Sequence, residues 1–357
     1  MNKPRVFALY LPQFHTIPEN DEWWEKGFTE WTNVKKAKPL FKGHNQPRVP
    51  LNDNYYDLLD NNTFKWQVDI AKQYSIDGFC FYHYWFNGKL LLEKPLENYL
   101  VNQELDLPYF FSWANEPWTR SWDGSNKTVL MAQVYGGKDD IINHFNYLLP
   151  FFKDSRYIKI DNKPIFVLYR AESISYLNDM IKIWNDLARK NGFDGIFVIE
   201  SLTVFQGEKH CDDTNACFYM EPMWVHRKKD SIIKRLFRHI SWLLSSNSIS
   251  KIDYETSMKK IVSYEKISDM RYAGFFVDWD NSPRRGGNGS VIYTKTSTIL
   301  FEKYLSKQMT KMKKFNCPFL FINAWNEWAE GTYLEPDTTN GYAFLEAIKR
   351  CKETIFS

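Results

Sequence analysis

The sequence predicts a parallel (β/α)8 barrel with long insertions after its strands. Three observations carry the prediction. Short apolar runs recur along the chain, each separated from the next by enough residues for a helix. Each run ends in aromatic or polar side chains, as barrel strands do when their C-terminal ends build one shared site. The last run, Phe319 to Ile322, is continuously apolar, as a strand buried on both faces requires, and then turns abruptly polar. The 357 residues exceed a typical barrel by only about a hundred, so one decorated domain spanning 1–357 is expected.

In chain order, Val6 to Tyr10 is the first strand and delivers Pro12, Gln13, Phe14 and His15. An insertion rich in Trp and Pro follows before a helical pattern over Thr63 to Tyr74. Gly78 to Tyr82 delivers His83, Tyr84 and Trp85, with a helix near Pro95 to Asn102. Tyr109 to Ser112 delivers Trp113, Asn115, Glu116 and Trp118, with a helix over Asp139 to Phe152. Ile165 to Tyr169 delivers Arg170, and Ser173 to Asn191 is helical. Ile196 to Ile199 delivers Glu200 and Ser201, and Ala216 to Tyr219 delivers Met220 and Glu221. Between these two, Thr203 to Thr214 is too short for a long helix, so the strand count is weakest there. Ala273 to Val277 delivers Asp278, Trp279 and Asp280, and Phe319 to Ile322 completes eight.

A basic amphipathic helical insertion is expected near 228–268. Within 231–244, Ile232, Ile233, Leu236, Phe237, Ile240, Leu243 and Leu244 fall at helical spacing, while Lys234, Arg235 and Arg238 make the other surface basic. Packing of its apolar stripe on the barrel is the expected role. Peripheral contact with an anionic membrane through 231–244 is the alternative.

Composition excludes several classes. Net charge is +3 from 46 basic and 43 acidic side chains without a dominant block, so nucleic-acid binding has no support. Five scattered cysteines lack paired spacing, which argues against a disulfide framework or structural metal and for a reduced, cytoplasmic compartment, with the inner face of the membrane as its alternative address. Val6 to Leu11 is too short for a secretory core, and no window approaches the roughly 20 apolar residues of a membrane span.

The chemistry is expected just past the last strand. Glu327 and Glu330 are three apart, so a helical turn there brings both carboxyls to one side, among Trp325, Trp328 and Tyr333. An isolated pair of this spacing is usually a solvated one, but the strand end and the aromatic setting favour acid–base work on a glycosidic bond. Glu116 is the rival, because an Asn-Glu pair such as Asn115 and Glu116 after a strand also presents an acid to a sugar. Glu221 and Glu200 end strands, with ion pairing inside the barrel mouth equally expected. Asp278 and Asp280 share a face in strand register and suit a divalent ion on a nucleotide-sugar, although no Gly-rich phosphate loop accompanies them. Arg284 and Arg285 are placed to neutralise Asp280 or grip an anionic sugar. His15 and His83 sit at strand exits suited to sugar hydroxyls, and Trp85, Trp113, Trp118 and Trp279 are candidate sugar platforms, with core packing as probable for each. No His or Cys spacing suggests a metal or other cofactor, and none is expected.

Beyond these residue-level readings lies a family resemblance. Pro318 to Asp337, with its Asn326-Glu-Trp-x-Glu-Gly-Thr332 core, resembles the catalytic segment of glycoside hydrolase family 99. Nearly the whole chain resembles WbsX-type proteins of bacterial O-antigen and capsule synthesis, through Tyr10 to His15, Gly27 to Trp31, Trp113 to Glu116 and Trp279 to Arg285. The resemblance implies a retaining, metal-independent hydrolase or transglycosidase acting on an oligosaccharide or polysaccharide. It makes Glu327 a base toward the sugar's 2-hydroxyl and Glu330 the general acid and base at the leaving oxygen. Asn326, Trp328 and Tyr333 beside them, and Tyr84 at the second strand exit, are further candidates for substrate contact. WbsX-type proteins also carry the label of glycosyltransferases, so transfer from an activated sugar stands as an alternative. A barrel that only binds polysaccharide is a third.

Overall fold

The computed structural model describes residues 3–120, 128–226 and 249–356. Eight parallel strands close into a barrel: β1 (Arg5–Tyr10), β2 (Gly78–Phe86), β3 (Tyr109–Trp113), β4 (Lys163–Leu168), β5 (Phe197–Leu202), β6 (Ala216–Tyr219), β7 (Arg271–Phe276) and β8 (Phe319–Asn323). Each pairs with its successor, and β8 returns to β1 with Val6 opposite Leu320 and Ala8 opposite Ile322. The amphipathic stretch 231–244 lies outside the described residues, as does most of the insertion expected near 228–268. The part that is described forms a short strand, Ser250–Asp253, and the helix Tyr254–Ser263.

Helices cover the strands because their sequences bury one stripe. Leu177–Lys190 buries Leu177, Met180, Ile181, Trp184 and Ala188, the spacing of a single helix face. Asn61–Gln73 starts where the Asp60 carboxylate accepts from Asn62 N at 2.9 Å, and Thr298–Lys314 where Ser297 Oγ accepts from Leu300 N at 3.3 Å. No helix joins β5 to β6. Glu200 takes its place as organiser of that connection: its carboxylate accepts from His210 N at 2.6 Å, Cys211 N at 3.0 Å and Thr214 Oγ1 at 2.6 Å, and also from Gln206 Nε2. The expectation that Glu200 reaches the barrel mouth is thereby corrected, since every acceptor site is spent on the 203–215 loop.

The barrel interior is filled by aromatic rings. Phe7 packs edge-on to Phe110 with centroids 4.9 Å apart, and Phe218 stacks on Phe321 at 4.1 Å. Such pairs add roughly 1 kcal/mol each beyond area burial. This plug forms the floor on which strand-exit side chains stand. β7 approaches β6 so closely that a Cβ on Gly274 would lie 1.7 Å from the carbonyl oxygen of Tyr219. A backbone atom cannot rotate away as a side chain can. Gly274→Ala is therefore expected to destabilise the barrel by about 3 kcal/mol or more, beyond the usual range for an added methyl group. A denaturant melt in which the variant matched the parent midpoint would contradict this packing.

Candidate active site

The strand ends open into a cavity of about 300 Å³ lined by Glu327 and Glu330, by Tyr82 and Tyr84, and by Trp118 and Trp279. Past β8 the expected helical turn is a 3-10 turn, Trp328–Glu330, capped by Glu327 and set between a short strand, Asn326–Glu327, and its partner, Thr332–Tyr333. The turn brings the two carboxyls to one side, and a third residue joins them. Arg284, four residues past Asp280, donates from Nη1 to Glu330 Oε1 at 2.5 Å and from Nη2 to Glu327 Oε2 at 3.2 Å. Nη2 also donates to Glu30 Oε2 at 3.1 Å. Glu30 is 1% exposed and the Arg284 side chain 9%, so three carboxyls from two ends of the chain share one buried guanidinium.

Burial pushes the Glu327 carboxyl well above the ordinary glutamate range, and the neighbouring Glu330 adds to the rise while Arg284 opposes it. Burial also raises Glu330, against the pull of Arg284. Arg284 moves the other way: burial alone would lower it, but Glu30, Glu330 and Glu327 together raise it and keep it charged. A site with one firmly held cation and two carboxyls that resist joint ionisation can donate one proton and accept another near neutral pH.

The remaining motif residues hold this pair rather than line the cavity. Asn326 is fully buried and clips the β1 exit, accepting from Leu11 N at 2.8 Å and donating to Leu11 O at 3.0 Å. Trp328 stacks on Tyr333 with centroids 3.7 Å apart, and its Nε1 donates to Glu335 Oε2 at 2.6 Å. Glu335 accepts in addition from Gln67 at 2.7 Å and Tyr56 at 2.9 Å. Tyr333 donates to Asp337 Oδ2 at 2.7 Å.

Other candidates fall on both sides of the wall. Tyr84 faces the cavity, but His83 and Trp85 do not. β2 runs to Phe86, four residues past the expected end, and alternation sends 82 and 84 inward and 83 and 85 out toward the helix Lys138–Lys153. There His83 Nε2 meets His144 Nε2 at 2.8 Å, Trp85 stacks on His144 at 4.6 Å, and burial holds His83 down to about 3. Trp113 lies edge-on to the same His144 at 4.8 Å. The expected sugar contacts of His83, Trp85 and Trp113 are corrected accordingly. His15 is 1% exposed and stands off the cavity lining. Asn115 spends its amide on Arg170, accepting from its N and donating to its O, both at 2.9 Å. Glu116 does line the cavity, ion-paired with Arg170.

Asp278 and Asp280 border a second cavity of about 360 Å³. They do not form an open clamp for a metal ion. Arg48 Nη2 reaches Asp278 Oδ2 at 2.8 Å, while His44 and Gln46 each reach Asp280 Oδ2 at 2.7 Å. Asp280 is 0% exposed, and although burial pushes its carboxyl up, Arg48 and these donors leave it lowered. Among the described residues no three His, Cys, Asp or Glu side chains converge as for a metal ion. No helix among them is long and apolar enough to cross a membrane.

Tyr82, Trp118, Trp279 and Arg285 line the first cavity, and Glu30 joins it through Arg284. Glu30 and Tyr82 were absent from the sequence-derived candidates. For Tyr82 the signal was available as alternation with Tyr84. Glu30 lay within the Gly27 to Trp31 stretch, but only its contact with Arg284, 254 residues away, reveals its place.

A family model described as "Glycosyltransferase WbsX" matches residues 6–348. The chain belongs to the WbsX glycosyltransferase family. Two relatives from strains of Xanthomonas campestris pv. campestris, both called uncharacterized protein WxcX, are 34% identical over 97% of this chain. The chain spans about half of their length, 49% in each case. Among solved structures, a glycoside hydrolase-like protein superposes with a TM-score of 0.60 at 12% identity, covering 98% of this chain and 94% of that one. The GH99 endo-alpha-mannosidase from Bacteroides thetaiotaomicron superposes at 0.57 and 11%, covering 99% and 97%. At these identities the likeness speaks to the fold, the same (β/α)8 barrel.

Glu221 of this WbsX member, a strand-end candidate, is buried and does not line the cavity. It is 1% exposed and accepts from Val225 N at 2.9 Å, and burial pushes its carboxyl up to about 8. The folded chain thus holds a proton that the unfolded chain releases near pH 4.5, the ordinary value. Its contribution to stability is full below that pH, declines as pH rises toward about 8, and is level above. Glu221→Gln removes the titration. Thermal melts should show the parent losing on the order of a few kcal/mol against the variant between pH 5 and pH 8. Parallel pH profiles for the two proteins would contradict the assignment.

Proposed function

We propose that this WbsX barrel cleaves or exchanges a glycosidic bond in a bacterial surface glycan, with retention and without a metal ion, through Glu327 and Glu330. The observation that supports it most is the meeting of these two carboxyls on Arg284 at the wall of the strand-end cavity. In this reading Glu327 takes the proton of the sugar's 2-hydroxyl, the freed oxygen closes on the anomeric carbon, and Glu330 protonates the departing oxygen. Water or an acceptor sugar then opens the epoxide-like ring, giving its proton to Glu330, while Glu327 returns the other to the 2-oxygen. Trp118 and Trp279 supply flat apolar walls suited to sugar rings. The assignment of base and acid rests on the family 99 resemblance. In the free site burial raises both carboxyls, so the two share a proton, and the assigned roles need that proton on Glu330 when the sugar is bound.

Transfer from a nucleotide-sugar is the second reading, favoured by the family's description as glycosyltransferases. Calorimetry with nucleotide-sugars and manganese separates the two, since only a transferase of that kind binds them. For the first reading, the purified chain is incubated with the source cell's surface polysaccharide and the fragments are weighed. Glu327→Gln and Glu330→Gln should each lower turnover by at least about two orders of magnitude. An activated leaving group, such as fluoride, should rescue Glu330→Gln and not Glu327→Gln. Rescue in the opposite pattern would exchange the roles, and near-normal turnover in either variant would remove that residue from the chemistry.

A further inference from the structure

We infer that Glu30 is a charge-setting positioning residue of the site, acting on Glu327 and Glu330 through Arg284. The inference rests on the reading of those two as the chemical pair. Glu30 opens the short helix Glu30–Lys36, which follows β1, and its backbone N donates to Gln13 O at 3.1 Å, so the residue is fixed from both sides. Its Oε2 shares Nη2 of Arg284 with Glu327 Oε2, at 3.1 and 3.2 Å. Arg284 is thereby held between the loop after β1 and the hairpin after β8.

The charge balance follows from this geometry. Arg284 and Glu30 cancel, so one ionised member of the pair leaves the buried group with a single negative charge. Ionising the second member would make it doubly negative in a site where charge is poorly solvated. Without Glu30, Arg284 would offset half of the doubly ionised pair and the second proton would leave more easily. The other titratable and charged groups facing the pair are Arg285 and Glu116, with Tyr82, Tyr84 and Tyr169 across the cavity. Among the described residues, Glu30 is the one that adds a further carboxylate directly to the guanidinium that touches both members. Glu30 therefore keeps one proton on the pair at neutral pH while leaving the other carboxyl ionised, the state that acid–base work requires.

The test needs no substrate. The full chain is labelled with 13C at glutamate carboxyls, and carbon NMR follows the titration of Glu327 and Glu330, assigned by the loss of each signal in Glu327→Gln and Glu330→Gln. In the parent, one member should remain protonated at pH 7. In Glu30→Gln the later of the two titrations should move down by about one pH unit or more. Glu30→Asp, which keeps the charge, should stay closer to the parent than to Glu30→Gln. A parent in which both members titrate in the ordinary glutamate range overturns the inference, whether or not the variants fold. So does a folded Glu30→Gln with an unmoved titration, which is the result of a purely structural role. Failure to find a cleaved glycan would count against the proposed function and would leave these titrations as they are.

Discussion

A buried guanidinium must be paired, and among the described residues Arg284 meets the carboxyls of Glu30, Glu327 and Glu330. An uncompensated charge in such a position would cost several kcal/mol, so its partners are fixed by energy as well as by shape. Those partners come from opposite ends of the chain: Glu30 follows β1, and Glu327 and Glu330 follow β8. The barrel makes this meeting ordinary, because β8 closes on β1 and their exits are neighbours. A bidentate, planar cation suits the task better than a lysine, since two separate nitrogens can hold two carboxyls in fixed relation. The same contact that ties the ends of the barrel together puts one positive charge against both carboxyls of the pair.

Around this centre a second layer fixes the hairpin. Asp280 N donates to Glu330 O at 2.7 Å, and Arg48 Nη1 donates to Gly331 O at 2.9 Å. Gly331 has φ of 66°, and a Cβ there would come within 2.8 Å of Asp280, so only glycine fits the turn against that wall. On the other side Asn326 clips the hairpin to Leu11, and Glu335 gathers Trp328, Gln67 and Tyr56. The long polar and aromatic motif is thus mostly scaffold for two carboxyls. That division is expected where acid–base geometry must be held to a fraction of an ångström.

The barrel was legible in the sequence because strands buried on both faces must be short, apolar and separated by helix-length chain. The strand expectations fall within a few residues of the observed ones, and even the missing helix between β5 and β6 was visible as a shortage of residues. The Glu327 and Glu330 meeting was legible for a related reason, since it depends on local chain direction at a strand end. What failed depended on register or on distant pairing. His83 and Trp85 were misplaced because β2 continues past Tyr82, and one more residue of strand reverses the face each side chain takes. Asn115 and Asn326 carry chemistry suited to sugars, yet both amides close backbone gaps between neighbouring strand exits. Glu30 was illegible as a member of the site, because nothing near it in sequence indicates a cation 254 positions away.

The wall between the two cavities bears on which chemistry the site can host. A nucleotide-sugar mechanism built on Asp278 and Asp280 would need their oxygens for a divalent ion. Those oxygens already satisfy Arg48, His44, Gln46 and Thr296, and Asp280 Oδ1 accepts from Ser282 N at 3.0 Å at the start of the turn that carries Arg284. Giving them to a metal would leave buried donors unpaired and loosen the backbone that holds both Arg284 and Glu330. The two chemistries therefore compete for one piece of structure. As folded, that structure keeps both Asp side chains committed to the wall and leaves Arg284 holding Glu327 and Glu330 at the first cavity, beside Trp118 and Trp279.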